Sequence, residues 1–263
     1  MEAWPNGRDA GTESIMVMET QQYLDQLAQN AERLADAAAA AGTEAAVPTC
    51  PEWTVTDLLQ HCTRGDAWAR TIVEQGRAGS TERVLPGEVD TSIRGEALLE
   101  AFRGGARSLV DALGSVTPDT PVWTFSSTNR TASFWQRRRS QETSIHRYDA
   151  EVAAGTPSPL DPSLAADGID EFLTVFLPRL ADNFDAVGDG TLHLHCTDIE
   201  GEWLVARRDG EVTVTREHAK GDVAARGSAS DLFLFLWGRA PADALEVFGD
   251  ADLLARVRQA TRV

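Results

Sequence analysis

The stretch QETSIHRYDAE, at residues 141–151, contains two side chains that can bind a metal, spaced one helical turn apart. If the stretch is helical, Glu142 and His146 project from the same face, about 6 Å apart along the helix axis. A carboxylate and an imidazole aimed at one point can bind a divalent ion, but they leave its coordination sphere unfilled. A third ligand is therefore expected from another part of the chain.

The stretch belongs to a predicted helix, residues 131–154, whose inward stripe is charged where a structural helix would be apolar. The stripe consists of Trp135, Arg139, Glu142, His146, Asp149 and Ala153. Arg138 and Arg139 lie one turn before Glu142 and could hold a substrate carboxylate, although a run of charges is also typical of a solvated face. Asp149 could orient His146 or form a plain salt bridge.

A second predicted helix supplies the candidate third ligand. Thr54 and Asp57 form a variant of the capping box, and the helix runs from there to about Glu74. His61 shares its inward face with Leu58, Gly65 and Trp68, which are at helical spacing. An inward histidine is also compatible with a satisfied core residue. We expect Gly65 to leave open space beside the imidazole, because glycine is otherwise unfavourable inside a helix.

Apolar periodicity predicts a helical region followed by a small α/β unit. Further helices are predicted at about residues 19–41, 92–113 and 162–182, and Gly104 with Gly105 could admit a neighbouring helix or a ligand, or mark a kink. A loop is predicted at residues 76–90. The sequence GDG at residues 188–190 marks a candidate domain boundary, beyond which apolar residues alternate.

The predicted C-terminal unit begins with a strand in which His193 and His195 share one face. That H-x-H spacing occurs in metal sites, and an exposed strand face explains it equally well. Residues 202–207 and 211–215 are predicted to form a hairpin, because RDG at residues 208–210 is a strong turn signal. A short strand at 223–225, a buried helix at 227–239, a short helix and turn at 241–250 and a last helix at 251–258 complete the prediction.

Composition limits the classes of partner. The 263 residues include 24 Lys and Arg against 41 Asp and Glu, for a formal net charge of −17, which argues against a nucleic-acid or anionic membrane partner. The sequence has no apolar run of about 18 residues, so no membrane-spanning helix is expected. Residues 1–18 lack the apolar core of a signal peptide and are predicted to be a disordered tail. Three cysteines without a C-x-x-C motif are typical of a reducing cytoplasm.

The set of His61, Glu142 and His146 suits zinc or a similar divalent ion with one coordination position left for water or a thiolate. Metal coordination lowers the pKa of a thiol and so creates a nucleophile without a general base. The sequence has no serine-hydrolase, dinucleotide-binding or P-loop signature.

Three separated motifs resemble the actinobacterial mycothiol-dependent maleylpyruvate isomerase family. They are CPEWTVTDLLQH at residues 50–61, the helix of Glu142 and His146 continuing as RYDAE, and SDL with LWGR at residues 230–239. The resemblance implies an α+β chain, with a DinB-like four-helix bundle at residues 19–186 and a small sterol-carrier-like α/β domain at residues 187–263. It also implies that the family's metal ligands correspond to His61, Glu142 and His146.

The resemblance implies an enzyme that uses mycothiol as a metal-bound thiolate, in order to isomerise or S-conjugate a small electrophile bearing a carboxylate. We expect catalytic roles for Arg139, Arg239 and Asp149, with Arg226 as an alternative to Arg239 for the C-terminal arginine. The residues Trp135, Arg138 and Trp68 are expected to line the thiol site. Two other interpretations remain: a thiol-independent metal hydrolase, and a non-catalytic zinc-stabilised binding or regulatory protein. A monomer or small homo-oligomer is expected.

Overall fold

A computed structural model describes residues 18–75 and 90–261 of the chain. The predicted tail at residues 1–18 lies outside the described residues except for Met18, which is buried against Tyr23 and Leu164. The predicted loop at residues 76–90 lies outside them as well, apart from Asp90. Within the described ranges the chain forms seven α-helices and five strands.

Four long helices form the N-terminal part. They are α1 (Thr20–Ala41), α2 (Val55–Gln75), α3 (Gly95–Gly114) and α4 (Ala132–Ala153). The capping box is present, since Asp57 accepts hydrogen bonds from the backbone N–H and the hydroxyl of Thr54. The third helix begins three residues later than predicted, because the Asp90 carboxylate accepts the N–H of Ser92 and holds this segment in a turn.

The bundle is held together by the apolar faces of α1, α2 and α3, whereas α4 contributes mainly polar side chains. The first helix packs along α4, and the second along α3. Leu27 and Leu34 of α1 and Leu58 of α2 are fully buried in these contacts. On α4, in contrast, most of the buried positions are charged or polar. The charged stripe predicted from the sequence therefore lies inside the protein, where each charge needs a partner.

The predicted fifth helix is shorter than expected. It is regular only from Pro162 to Glu171 (α5), continues as a π-helical turn over Phe172–Phe176, and ends as a 3-10 helix over Leu177–Ala186. Pro178 explains the change, because proline has no N–H to donate and its ring clashes with the carbonyl four residues earlier. The prediction of one helix to residue 182 overlooked this proline.

The C-terminal part contains a five-stranded sheet of order β3-β2-β1-β4-β5. The strands are β1 (Gly190–Cys196), β2 (Glu202–Arg208), β3 (Glu211–Thr215), β4 (Val223–Gly227) and β5 (Glu246–Gly249). Only β1 and β4 pair in parallel. Asp209 and Gly210 both have positive φ, 53° and 83°, which confirms the predicted hairpin turn.

The fifth strand corrects the prediction of a short helix and turn at residues 241–250. Only Ala242–Ala244 form a helical turn, and residues 246–249 pair with β4. Two further helices, α6 (Ala229–Leu236) and α7 (Ala251–Ala260), complete this part, and α6 is capped by the Ser228 hydroxyl. Apolar residues of α5 share one core with the sheet, α6 and α7. The boundary at residue 187 stays a prediction, and the core that includes α5 extends across it.

Among the described residues, no helix is both long enough and apolar enough to cross a membrane.

Candidate metal centre

Two helices of the bundle bring the three predicted metal ligands together. His61 of α2, Glu142 and His146 of α4 each offer one ligand atom, and these atoms lie within 4.8 Å of one another. His61 Nε2 is 3.1 Å from Glu142 Oε1, and the two imidazole rings meet edge to face at 4.9 Å between centroids. Ligands of a tetrahedral zinc ion lie about 3.3 Å apart when the bonds are about 2.0–2.1 Å long. The three side chains therefore fit a small divalent ion after shifts of about 1 Å.

Asp149 orients His146 from one turn further along α4. Its Oδ2 is 2.9 Å from His146 Nδ1, which leaves Nε2 of the imidazole to face His61 and Glu142. Burial raises the pKa of Asp149, but the hydrogen bond from His146 and the charge of Arg239 outweigh it and hold that pKa below its usual range. Burial also lowers the pKa of His146, so its imidazole is neutral at neutral pH, the form that binds metals.

Glu142 is kept ionised by two arginines of its own helix. Arg139 Nη1 forms an ion pair with Oε2 at 2.6 Å, and Arg138 Nε lies 3.5 Å from the same oxygen. Burial raises the pKa of Glu142, but Arg139 and the hydrogen bond from His61 hold it well below its ordinary value. The Oε1 oxygen, which faces His61, remains available as a ligand.

Arg139, for which a catalytic, substrate-binding role is predicted, is fully enclosed in the structure. Its side chain is 2% exposed, and Nη2 donates to Asp66 at 2.8 Å while Nη1 holds Glu142. The guanidinium also fills the space beside Gly65, where an added Cβ would lie 2.6 Å from Nη1. The space expected next to His61 is therefore occupied, and Arg139 acts by positioning Glu142.

Arg138 is also buried, with its side chain 4% exposed, and does not line an open thiol site as predicted. It forms an ion pair with Glu171 of α5, and its guanidinium stacks on the rings of Phe176 and Trp237. Arg138 thus joins Glu142 to the core of the C-terminal part.

The two tryptophans predicted to contact the thiol lie in an aromatic cluster instead. Trp135 is 1% exposed, and its Nε1 donates to the backbone oxygen of Trp123 at 2.7 Å. Trp68 is half-buried and meets Trp135 edge to face. Trp135 is two helical turns from Glu142, so it offers no surface to a bound thiol. Its place in the inward stripe reflects core packing.

Arg239, three residues beyond α6, reaches across to α4. It donates to both oxygens of Asp149, from Nε at 3.1 Å and from Nη2 at 2.9 Å. The other candidate arginine, Arg226, is half-exposed on β4 and lies 3.6 Å from Glu246. Of the two, only Arg239 reaches the centre.

A cleft of about 850 Å³ opens beside Arg239. Its walls come from the segment before α2 and from the end of α6 and α7, and they include Pro48, Thr49, Pro51, Trp237, Arg239 and Leu254. Thr49 also donates to Asp149 at 2.6 Å, which connects the wall of the cleft to the residue that orients His146. The candidate metal ligands do not line this cleft; Thr49 and Arg239 in its wall connect it to them through Asp149.

The segment before α2 contributes two residues to which the sequence analysis assigned no role. The ring of Trp53 lies 4.9 Å from that of His61 and 6.1 Å from that of His146. The thiol of Cys50 lies 3.6 Å from Asp149 and accepts a hydrogen bond from Arg239. A signal was present, since the motif TCPEW immediately precedes the helix of His61. What sequence spacing does not reveal is that this segment folds back over α4.

Two family models match the chain. One is described as the mycothiol maleylpyruvate isomerase N-terminal domain and matches residues 24–151. The other is described as the MDMPI C-terminal domain and matches residues 163–256. Together they span most of the chain. No curated protein sequence matched it.

Two crystal structures have the same fold. One is the mycothiol-dependent maleylpyruvate isomerase, with a TM-score of 0.60 and 14% identity. The other is a histidine-to-alanine mutant of a mycothiol-dependent maleylpyruvate isomerase, with a TM-score of 0.62 and 13% identity. Each comparison covers 88% of this chain and 93% of the other. At these identities the likeness establishes the fold: a helical region followed by a small mixed sheet.

Proposed function

This chain belongs to the mycothiol maleylpyruvate isomerase family, a family of enzymes, and from that membership we propose that it uses mycothiol and a divalent metal, preferably zinc. Its substrate would be a small electrophile with a carboxylate, which it would isomerise or S-conjugate in the reducing cytoplasm. One observation carries the proposal: His61, Glu142 and His146 converge within 4.8 Å, and Asp149 joins His146 to Arg239 in the wall of the cleft.

The residues around the centre fit a bound ion. Two imidazoles and one carboxylate form a donor set that zinc accepts, with a fourth position left for an exogenous ligand. A divalent ion held there would lower the pKa of a thiol and so make it nucleophilic at neutral pH. Asp149 orients His146, and Arg139 orients Glu142. Both ligands on α4 are thereby held in place by charged neighbours before any ion binds.

We assign substrate orientation to Arg239. Among the described residues, its Nε–H donates to Asp149, one Nη1–H to the carbonyl of Trp237, and Nη2 to Asp149 and Cys50. A guanidinium has five N–H groups, so one on Nη1 is left for a substrate carboxylate. The side chain is 13% exposed and lines the cleft, which is compatible with that role.

Turnover of maleylpyruvate by the purified protein, with and without mycothiol, tests the proposal. We expect turnover that requires mycothiol, that is lost after treatment with a chelator and that returns with zinc. His61→Ala is expected to abolish it. Thr63→Ala is the matched control, because that hydroxyl bonds only the Leu59 carbonyl on the same helix, away from the ligands.

The outcomes separate the alternatives. Thiol consumption that matches product formation would indicate S-transfer, and unchanged thiol would indicate isomerisation. Turnover of ester or amide substrates without any thiol would refute the proposal in favour of a metal hydrolase. Retained zinc with no turnover of an electrophile panel would instead indicate a binding protein.

A further inference from the structure

A second group of metal-binding side chains lies on the face of the sheet opposite its core. Leu192 and Leu194 of β1 point into the core, so the alternating residues His193 and His195 point outward. Glu202 of β2 is paired with His195 across the sheet and lies on the same face. The H-x-H spacing alone is compatible with a metal site or with an exposed strand face.

Three imidazoles meet the carboxylate of Glu202. His193 Nε2 lies 2.8 Å and His218 Nδ1 2.6 Å from Oε2, while His195 Nδ1 lies 3.1 Å from Oε1. One ligand atom from each of the four residues lies within 4.8 Å of those from the other three. The contacts with Glu202 are hydrogen-bond distances, and ligands of a tetrahedral zinc ion lie about 3.3 Å apart, so an ion would need only small outward shifts of these side chains.

The topology of the sheet brings His218 to this place. The third strand pairs with β2, whereas β4 pairs with β1 on its far side, so residues 216–222 must cross from one side of the sheet to the other. His218 lies on this crossing segment, 5.4 Å from the ring of His193. A residue distant from β1 in sequence thus completes the group.

The positions of the histidines in the chain support a specific role for this group. The chain has five histidines, and each belongs either to the centre described above or to this group. One short strand, β1, and one loop supply three of them, although a solvated sheet face has no need of imidazoles.

We propose that His193, His195, Glu202 and His218 form a second site for a divalent first-row transition ion, of which zinc is the best representative. Three imidazole nitrogens and one carboxylate oxygen satisfy a tetrahedral ion without an open position, which is typical of a structural site. Copper(II) and nickel(II) share this preference for imidazole, whereas magnesium and calcium prefer oxygen ligands. The bound ion joins the crossing segment to β1 and β2, and its role is to hold the sheet together.

The site is accessible to an ion from solution. His193 is buried, His195 and Glu202 are half-buried, and the side chain of His218 is 59% exposed. An ion can therefore enter from the side of His218, and removal of that imidazole leaves no buried cavity. His218→Ala is for this reason the variant least expected to disturb folding.

Zinc binding by the untagged, full-length, metal-stripped protein tests the site. We expect two equivalents of zinc per chain, measured by calorimetric titration and by elemental analysis after desalting. His218→Ala and His195→Ala are each expected to retain one equivalent, with the affinity of the second site reduced by more than about 100-fold. His61→Ala is also expected to retain one, and the double variant His61→Ala/His218→Ala none.

The variants separate this inference from the proposed function. If wild type binds one equivalent, and His61→Ala alone abolishes it while His218→Ala binds normally, the four residues are a hydrogen-bonded group and the second site is refuted. If His218→Ala loses one equivalent while His61→Ala loses none, the second site stands and the proposed centre fails.

Two further measurements exclude misfolding of the variant and weak, non-specific binding of the ion. Circular dichroism of metal-free His218→Ala should match metal-free wild type, which excludes misfolding as the cause of lost binding. Cobalt(II) bound to His61→Ala should give the intense visible absorption of a tetrahedral nitrogen and oxygen site. Weak octahedral bands, or affinity in the millimolar range, would overturn the proposal.

Discussion

Arg239 and Asp149 form a two-point ion pair that joins the C-terminal part of the chain to the helix of the candidate metal ligands. The carboxylate of Asp149 is fully buried and also accepts from Thr49. The same carboxylate also orients His146. Arg239, which lies beyond α6, therefore helps to fix a candidate metal ligand on α4 through its contact with Asp149. The first two predictions concern this relationship.

Removal of the arginine should destabilise the whole protein. Arg239→Ala leaves the buried charge of Asp149 without its arginine partner, and we expect the free energy of unfolding to fall by about 2–4 kcal/mol. Arg226→Ala is the matched control, because its pair with Glu246 is exposed, and it should change stability by less than about 0.5 kcal/mol. Urea unfolding followed by circular dichroism measures both. Equal losses of stability in the two variants would contradict a stabilising role for the ion pair between Arg239 and Asp149.

Loss of the carboxylate should weaken the metal centre. Asp149→Asn retains the size of the side chain but removes the charge that orients His146, so we expect the dissociation constant for zinc to rise by about 10–100-fold. Competition with a chromogenic chelator measures the dissociation constant. Both proteins also carry His218→Ala, which removes the proposed second site, so that only zinc bound by the bundle centre is measured. Asp36→Asn, which alters an exposed pair with Arg103, should leave the affinity unchanged. An unchanged affinity in Asp149→Asn would exclude an orienting role.

Substitution by alanine should have opposite effects on stability at Gly65 and at Gly104, although both residues lie inside helices. A Cβ at Gly65 would collide with Arg139, and we expect Gly65→Ala to destabilise by about 1–3 kcal/mol as the arginine is displaced from Asp66 and Glu142. An added Cβ at Gly104 has no neighbour within 4 Å, so Gly104→Ala should stabilise by about 0.5–1 kcal/mol. Thermal unfolding of the two variants checks this contrast. Stabilisation by Gly65→Ala would show that Arg139 relocates without cost.

Cys50 should react slowly although it lies beside the centre. Burial and the adjacent Asp149 raise the pKa of its thiol to about 11, against the lowering effect of Arg239. Because a raised thiol pKa means protonation at neutral pH, only about a thousandth of Cys50 is thiolate at pH 8. Its alkylation by iodoacetamide should therefore accelerate about tenfold per pH unit from pH 7 to 9. Mass spectrometry against Cys50→Ser measures this rate, and a plateau below pH 9 would indicate an activated thiol.

The position of the centre is predictable from sequence, whereas the roles of the surrounding charges are not. The spacing of Glu142 and His146 is local, and α4 begins and ends within one residue of its predicted bounds. The partners of Arg138 and Arg139 are Glu171 and Asp66, which lie on other helices. Helical periodicity gives no register between separate helices, so it does not reveal that these two arginines are buried in ion pairs.

The fifth strand could not be predicted from local sequence propensity. Residues 241–247 read PADALEV, and alanine, leucine and glutamate are good helix formers. In the folded protein residues 246–249 complete the edge of a sheet by pairing with β4, which supplies hydrogen bonds that a short isolated helix would lack. Tertiary pairing outweighs local propensity there, and only long-range information identifies it.

The ion pairs of Arg138 have a consequence for how the protein unfolds. Its guanidinium holds Glu142 of the bundle and Glu171 of α5 and stacks on Trp237, which follows α6 in the C-terminal part. If either part melted alone, it would leave buried charges in the other without partners, at a cost of several kcal/mol. The two parts should therefore lose structure in a single cooperative transition, visible as one calorimetric peak, even though separate family models describe them.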